Sequence, residues 1–183
     1  MTDNIMDNIV WDYLGTHELV LNTVEKLNDQ QIWWQPNKTT PSIGFNVWHL
    51  ARWADYLQEA ITDNGIQIWI TEELAAQWGF DDADLGFAET GMGMDYRISA
   101  SLPIQRKDDL LEYAYHAFIK ADKAVSMIKD DQFHCKIQDR HGFDRKEWTV
   151  GEAILALLAH ANRHLGMIEC LIGVQGMQGT ATR

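Results

Sequence analysis

The 183-residue sequence is poor in cysteine and proline. Its two cysteines, Cys135 and Cys170, are too few for a disulfide framework and lie far apart, so we expect reduced thiols. With only 3 prolines, a hydrophobic fraction of 46% and a charged fraction of 23%, the chain is neither collagen-like nor disordered. A chain of this length predicts one globular domain with a substantial core.

Basic residues and long apolar runs are also scarce. Lysine and arginine total 15 against 27 aspartates and glutamates, which gives a net charge of −12 with neutral histidines. Such a charge repels phosphate backbones and anionic lipids, so we expect no nucleic-acid partner. The most apolar run, Ala153–Ala161, is far shorter than the roughly 20 residues of a membrane span. The acidic N-terminus does not resemble a signal peptide, so the sequence predicts a cytoplasmic protein without a membrane partner.

Several catalytic signatures are missing as well. The sequence has no Gly-x-x-x-x-Gly-Lys phosphate loop, no Gly-x-Gly-x-x-Gly fingerprint, no Gly-x-Ser-x-Gly elbow and no Cys-x-x-Cys pair. The run from His160 to His164 lacks the glutamate of an HExxH metalloprotease. The Glu-x-x-His pairs that di-iron bundles need are absent too. These absences argue against each of those classes of enzyme.

The sequence does contain four long amphipathic helical patterns. In each of them apolar residues recur at three- and four-residue spacing, which predicts a helix with one buried face. We therefore predict an all-α fold, a four-helix bundle. The four patterns cover about Asp3–Leu27, Ser42–Ile61, Pro103–Lys129 and Thr149–Gly173.

Residues at the helix ends support these boundaries. Ser42 is placed to cap the second helix, and Pro103 suits the first turn of the third. Thr149 and Glu152 have the spacing of a capping box at the start of the fourth. We predict a single domain over residues 1–175 and a flexible glycine-rich tail over residues 176–183.

Two connections between the helices are distinctive. Asn64–Ala100 is too long for a plain loop, and Thr71–Trp78 within it is predicted to form a short helix. Gly91–Met94 suits either a mobile lid or an ordered excursion packed on the bundle. The segment Cys135–Trp148 alternates weakly around Arg140–Phe143, which is compatible with a small hairpin.

Three of the seven histidines stand out. His160 and His164 are four residues apart on the fourth helix, so their rings share one face in an apolar neighbourhood. His49 lies on an apolar face of the second helix. Metal ligation and hydrogen-bonded core histidines both fit this pattern, and three imidazoles on facing helices would leave a coordination position open. For His17, on the first helix, we favour a role in the core.

Six segments of the sequence resemble one family across nearly the whole chain. On these segments, and on the long separation between His49 and the later pair, the sequence is similar to the DinB-like superfamily, also called the DinB/YfiT-like metalloenzymes. The segments are Leu27–Gln31 at the end of the first helix, Trp34-Gln35-Pro36, Ser42-Ile43-Gly44, Asn46–Ala51, Trp148–Ala153 and His160–Gly166.

This resemblance implies an up-down-down-up bundle, here with a long insertion between the second and third helices. It also implies that His49, His160 and His164 hold a divalent metal and that the chain forms a homodimer. Characterised relatives include thiol-dependent S-transferases and a mycothiol-dependent maleylpyruvate isomerase, in which the metal binds and activates a low-molecular-weight thiol. Relatives often carry glutamine shortly after the second histidine of the pair, where this sequence has Met167, so no specific reaction is carried over.

We therefore predict a metal-dependent enzyme of the thiol S-transferase or hydrolase type that acts on a small molecule. Zinc, nickel or iron would lower the pKa of a bound thiol or water, and imidazole ligands suit all three metals. The alternative is a non-catalytic dimeric stress-related or binding protein with a structural or vestigial metal site. No motif assigns a catalytic residue, and Asn46, Trp53 and Tyr56 are pocket candidates because they lie near His49 on the second helix.

Overall fold

The structure is a computed structural model that describes residues 5–80, 84–102, 106–138 and 147–180. Over these ranges the protein is all-helical, with eight helices and no β-strand, as the sequence predicts. The four long helices are α1 (Ile5–Val24), α3 (Ile43–Ala60), α7 (Lys107–Ser126) and α8 (Val150–Val174). The four short helices are α2 (Asp29–Ile32), α4 (Ile68–Thr71), α5 (Leu74–Gln77) and α6 (Tyr96–Ser99).

Helix α3 lies at the centre of the protein. It packs against α7 and α8, and α1 packs against the same two helices. The short helix α4 also packs on α3 and α7, so the connection after α3 covers part of α3 that the long helices leave open. As a result every residue of α3 except Glu59 is buried. Polar side chains on α3 therefore face protein rather than water, and this environment surrounds His49.

Two predicted helix starts are confirmed, and one is wrong. Ser42 caps α3 by accepting the backbone N–H of Phe45, and Thr149 opens α8 with a capping box. The third long helix begins at Lys107 rather than at Pro103, which lies outside the described residues. Here the backbone N–H of Lys107 donates to the carboxylate of Asp29, so a residue of α2 takes the place of a local cap.

The long connection after α3 forms two short helices where the sequence predicts one over residues 71–78. The cause is Glu73, whose φ of 50° lies in the left-handed region and breaks the helix between α4 and α5. The glycine-rich segment further on packs against α3, with Thr90 fully buried. Phe87 and Met92 form an isolated antiparallel bridge at its turn. Of the two alternatives for this segment, a mobile lid and an ordered excursion packed on the bundle, the structure has the second.

The remaining expectations concern the ends of the described ranges. The tip of the suggested hairpin, Arg140–Phe143, lies outside the described residues, although Lys136 and Thr149 form an antiparallel bridge beside it. In the C-terminal segment, the backbone N–H of Thr180 donates to the Glu169 carboxylate. A single domain with a flexible tail stays a prediction.

Each helix in the described part of the chain is too short or too polar to cross a membrane.

Candidate metal centre

The packing of α3 on α8 brings the three singled-out histidines together. His49 comes from the middle of α3, and His160 and His164 come from successive turns of α8. One ring nitrogen of each lies within 4.8 Å of the others. The Nε2 atoms of His49 and His160 are 2.9 Å apart. Three imidazoles that converge in this way could hold one metal ion.

Two of the three rings are oriented by carbonyl oxygens. His49 Nδ1 donates to the backbone carbonyl of Thr90, and His164 Nδ1 donates to Asn46 Oδ1 at 2.7 Å. The amide nitrogen of Asn46 in turn donates to the carbonyl of Ser42 at 2.7 Å, which fixes the direction of the Asn46 amide. A carbonyl oxygen only accepts, so the proton of each neutral ring sits on Nδ1 and the Nε2 lone pair is free. His49 and His164 thus each present a free Nε2 that could bind a metal ion.

His160 is held differently. Its Nδ1 lies 2.8 Å from Nη2 of Arg163. A guanidinium only donates, so His160 Nδ1 accepts and the proton of the neutral ring sits on Nε2. That proton can then be donated to Nε2 of His49, which completes a hydrogen-bonded chain from Arg163 through both rings to Thr90. For His160 to bind a metal through Nε2, its proton must move to Nδ1 and Arg163 must withdraw.

All three imidazoles are neutral at neutral pH. Burial, reinforced by the neighbouring His164 and His160, lowers the pKa of His49 to about 3. Burial also lowers the pKa values of His160 and His164 to about 4, with Arg163 contributing to both. Because a metal binds the unprotonated ring, these shifts keep the lone pairs available well below pH 7.

Aromatic side chains provide the low-dielectric surroundings that cause these shifts. Phe45 stacks on His49 with ring centroids 5.7 Å apart. Trp53 lies edge-on to both His49 and His160, at 6.3 and 5.9 Å. Tyr56 packs against Trp53, and Phe87 contacts both of these aromatic rings. Trp53 and Tyr56 are both buried; Trp53 contacts the histidines, and Tyr56 contacts Trp53.

The sequence named Asn46, Trp53 and Tyr56 as neighbours of His49, but it did not reveal the contacts that Thr90 and Gly91 make with His49. Asn46 was a pocket candidate, but the structure places it behind His164 as the acceptor for the ring. Thr90 acts through a backbone carbonyl, which leaves no signature in a sequence. Gly91 has a φ of 88°, and a Cβ there would lie 2.8 Å from His49 Nδ1. The glycine-rich composition of this segment was the one available signal, and it did not indicate a contact with His49.

The other residues considered in the sequence analysis, His17, the two cysteines and Met167, have no contact with the three histidines among those described above. His17 is buried, pairs with Asp122 of α7 at 2.6 Å and stacks on Phe118, which is a core role. Cys135 and Cys170 are free and exposed. Met167, which stands where relatives often carry glutamine, is 39% exposed on α8. None of these observations adds a fourth ligand to the three histidines.

Comparison with known proteins decides the family. The sequence matches the DinB superfamily over residues 13–168. The chain belongs to the DinB superfamily. Its structure is similar to the crystal structure of a conserved protein from Enterococcus faecalis, with a TM-score of 0.73 and 15% identity over 92% of this chain and 95% of that one. That likeness concerns the fold, and no curated protein matches the sequence.

Proposed function

We propose that this DinB-superfamily protein holds a divalent transition metal, zinc, nickel or iron, on His49, His160 and His164. The observation that carries the proposal is the convergence of one ring nitrogen from each histidine within 4.8 Å. The donor set fits such an ion, because three neutral imidazoles in an apolar surrounding suit all three metals. Two of the three rings already have the tautomer that ligation requires.

The chemistry that we propose is thiol S-transfer or hydrolysis on a small molecule, with a low-molecular-weight thiol as cosubstrate in the first case. A bound divalent ion would supply Lewis acidity that lowers the pKa of a thiol or water. The protein's own contribution is orientation and exclusion of water. Asn46 and the Thr90 carbonyl hold two rings, while Trp53 packs on His49 and His160 and Tyr56 packs on Trp53, which keeps water from this side of the histidines. We assign no general base.

The wider setting of this proposal follows the family. We propose that α1, α3, α7 and α8 form the up-down-down-up bundle and that the connection between α3 and α7 is an insertion into it. We also propose that the chain works as a homodimer in the cytoplasm, as a single domain over residues 1–175 with a flexible tail. The packing of α3 and α1 on the same two helices supports the bundle.

Turnover is the test of the enzymatic proposal. Metal-loaded protein would be incubated with a low-molecular-weight thiol and a panel of electrophiles, and with ester and amide substrates, while thiol consumption and hydrolysis are followed. We expect turnover that needs the metal and is absent in His164→Ala. A fully loaded protein that turns over none of these substrates would contradict the enzymatic proposal.

One observation favours the alternative of a non-catalytic binding protein. The chain from Arg163 through His160 and His49 to Thr90 satisfies those ring nitrogens without an ion. A structural or vestigial site of this kind predicts weak metal binding and a melting temperature that hardly responds to added metal. The enzymatic site predicts stoichiometric binding, which would raise the melting temperature by mass action.

A further inference from the structure

A charged pair is buried inside α3, one helical turn after His49. Arg52 and Asp55 are both 0% exposed, and Arg52 Nη1 lies 3.3 Å from Asp55 Oδ2. Burying two charges is costly unless their remaining hydrogen-bonding groups are satisfied. The contacts that satisfy this pair therefore show what the pair holds in place.

Most of those contacts reach into the connection between α3 and α7. Asp55 accepts the backbone N–H groups of Ile68 and Trp69, each at 2.9 Å. Arg52 donates from Nη2 to the carbonyl of Ala88 at 3.0 Å and from Nε to the carbonyl of Glu89 at 2.9 Å. The pair thus binds the connection at two places that are about twenty residues apart in sequence.

The backbone that Arg52 holds is strained. Ala88 and Glu89 have φ values of 45° and 53°, which are unfavourable for residues with a side chain. Such conformations persist only where the surroundings enforce them, and here the guanidinium binds both carbonyls. The next residue is Thr90, whose carbonyl accepts His49 Nδ1. Gly91 then passes so close to the ring that a Cβ would lie 2.8 Å from Nδ1.

We propose that Arg52 is a positioning residue for the metal centre, because it clamps the Ala88–Gly91 backbone turn onto the ring of His49. Arg52 and His49 are three residues apart and lie on the same side of one helix. The same rigid helix therefore carries the imidazole ring and the guanidinium that holds the turn whose Thr90 carbonyl orients that ring. The clamp fixes the His49 tautomer that ligation requires. This inference deepens the proposed metal function and rests on it.

Two nearby glycines, Gly91 in this turn and Gly93 just after it, provide a test and its control. Gly91 and Gly93 have φ values of 88° and 81°, so alanine is strained at both, but a Cβ at Gly93 meets nothing within 4 Å. We expect Gly91→Ala to weaken zinc binding by ~10-fold or more, the usual effect of disturbing a group that orients a ligand. Gly93→Ala should bind zinc as the wild type does. It should also lose less stability than Gly91→Ala, whose Cβ would meet the Trp48 ring at 2.9 Å as well as His49.

Arg52→Lys tests the clamp itself. Lysine keeps the charge but lacks the planar fork that reaches two carbonyls at once. We expect ~10-fold weaker zinc binding in Arg52→Lys. In the Arg52→Lys/Gly91→Ala double variant, the loss of binding free energy should be smaller than the sum of the two single losses, because both changes act on one contact. Asp122→Asn, which alters the His17 pair between α1 and α7, is the control for disturbing a buried pair elsewhere.

A readout without metal separates this inference from the proposed function. The imidazole nitrogen chemical shifts of metal-free protein report the tautomer of His49. The clamp predicts a single tautomer protonated at Nδ1 in the wild type and in Gly93→Ala, and a mixture in Gly91→Ala and Arg52→Lys. If both of the latter variants fold and keep the wild-type tautomer, the clamp is refuted. If the wild type shows the Nδ1 tautomer and the two variants show a mixture, but the wild type binds no zinc, the clamp stands and the metal function fails.

Discussion

Removing the side chain that orients His164 should weaken metal binding while leaving the three ligands in place. Asn46 is 0% exposed, and its Oδ1 accepts His164 Nδ1 at 2.7 Å. In Asn46→Ala the buried N–H of the ring has no acceptor, so the ring can turn or shift its proton to Nε2. Loss of such an orienting group typically weakens metal affinity by about 10–100-fold, or ~1.4–2.7 kcal/mol.

The assay is competition for zinc with a chromophoric chelator, beside urea unfolding of the metal-free variants. Asn46→Ala should also lose about 1–3 kcal/mol of unfolding free energy, because a buried hydrogen bond is removed. Asn46→Asp is the matched control. One carboxylate oxygen of the variant still accepts from His164. The other faces the Ser42 carbonyl, to which the Asn46 amide nitrogen donates in the wild type, so two acceptors then lie together. We expect Asn46→Asp to lose stability and yet keep its zinc affinity. A folded Asn46→Ala protein with wild-type affinity would refute this role of Asn46.

Two further predictions concern protons and Arg163. The folded pKa values of the three site histidines lie below 6.5, at about 3 and about 4, so the unfolded state binds more protons in that window. The unfolding free energy of metal-free protein should therefore fall as the pH drops from 6.5 towards 4, which urea unfolding at each pH measures. If a variant with all three histidines changed to glutamine loses as much stability in acid, these histidines are not the cause. Arg163→Met should bind zinc roughly fivefold more tightly, because the ~1 kcal/mol hydrogen bond to His160 no longer competes. Chelator competition measures this change, and unchanged or weaker binding would show that Arg163 does not oppose ligation.

The helical framework was predictable because its signals are local. The three- and four-residue spacing of apolar residues and the caps at Ser42 and Thr149 depend on neighbours in sequence, and the structure has both caps. The start of α7 was not predictable, because Asp29 supplies its N-terminal acceptor from far away in sequence. The break at Glu73 was missed because glutamate is a good helix former, and nothing in the sequence signals its left-handed φ of 50°.

For the candidate site, the sequence indicated the three histidines and Asn46, but not the backbone groups that hold His49. His160 and His164 follow from helical periodicity, His49 follows from its place on an apolar helix face, and the family resemblance links the three. The supports act through the backbone of Thr90 and Gly91, whose place next to His49 depends on how a long connection folds. Arg52 looks like an ordinary helix residue in the sequence, and only the packed structure shows that it is fully buried.

The central claim is that His49, His160 and His164 hold one metal ion. Elemental mass spectrometry on protein purified without an affinity tag, beside His164→Ala, tests it most directly. The account predicts about one transition metal per wild-type chain, and loss of that metal in the variant. Absence of metal from both proteins, even after loading with zinc, nickel and iron, would contradict the claim and favour a non-catalytic bundle.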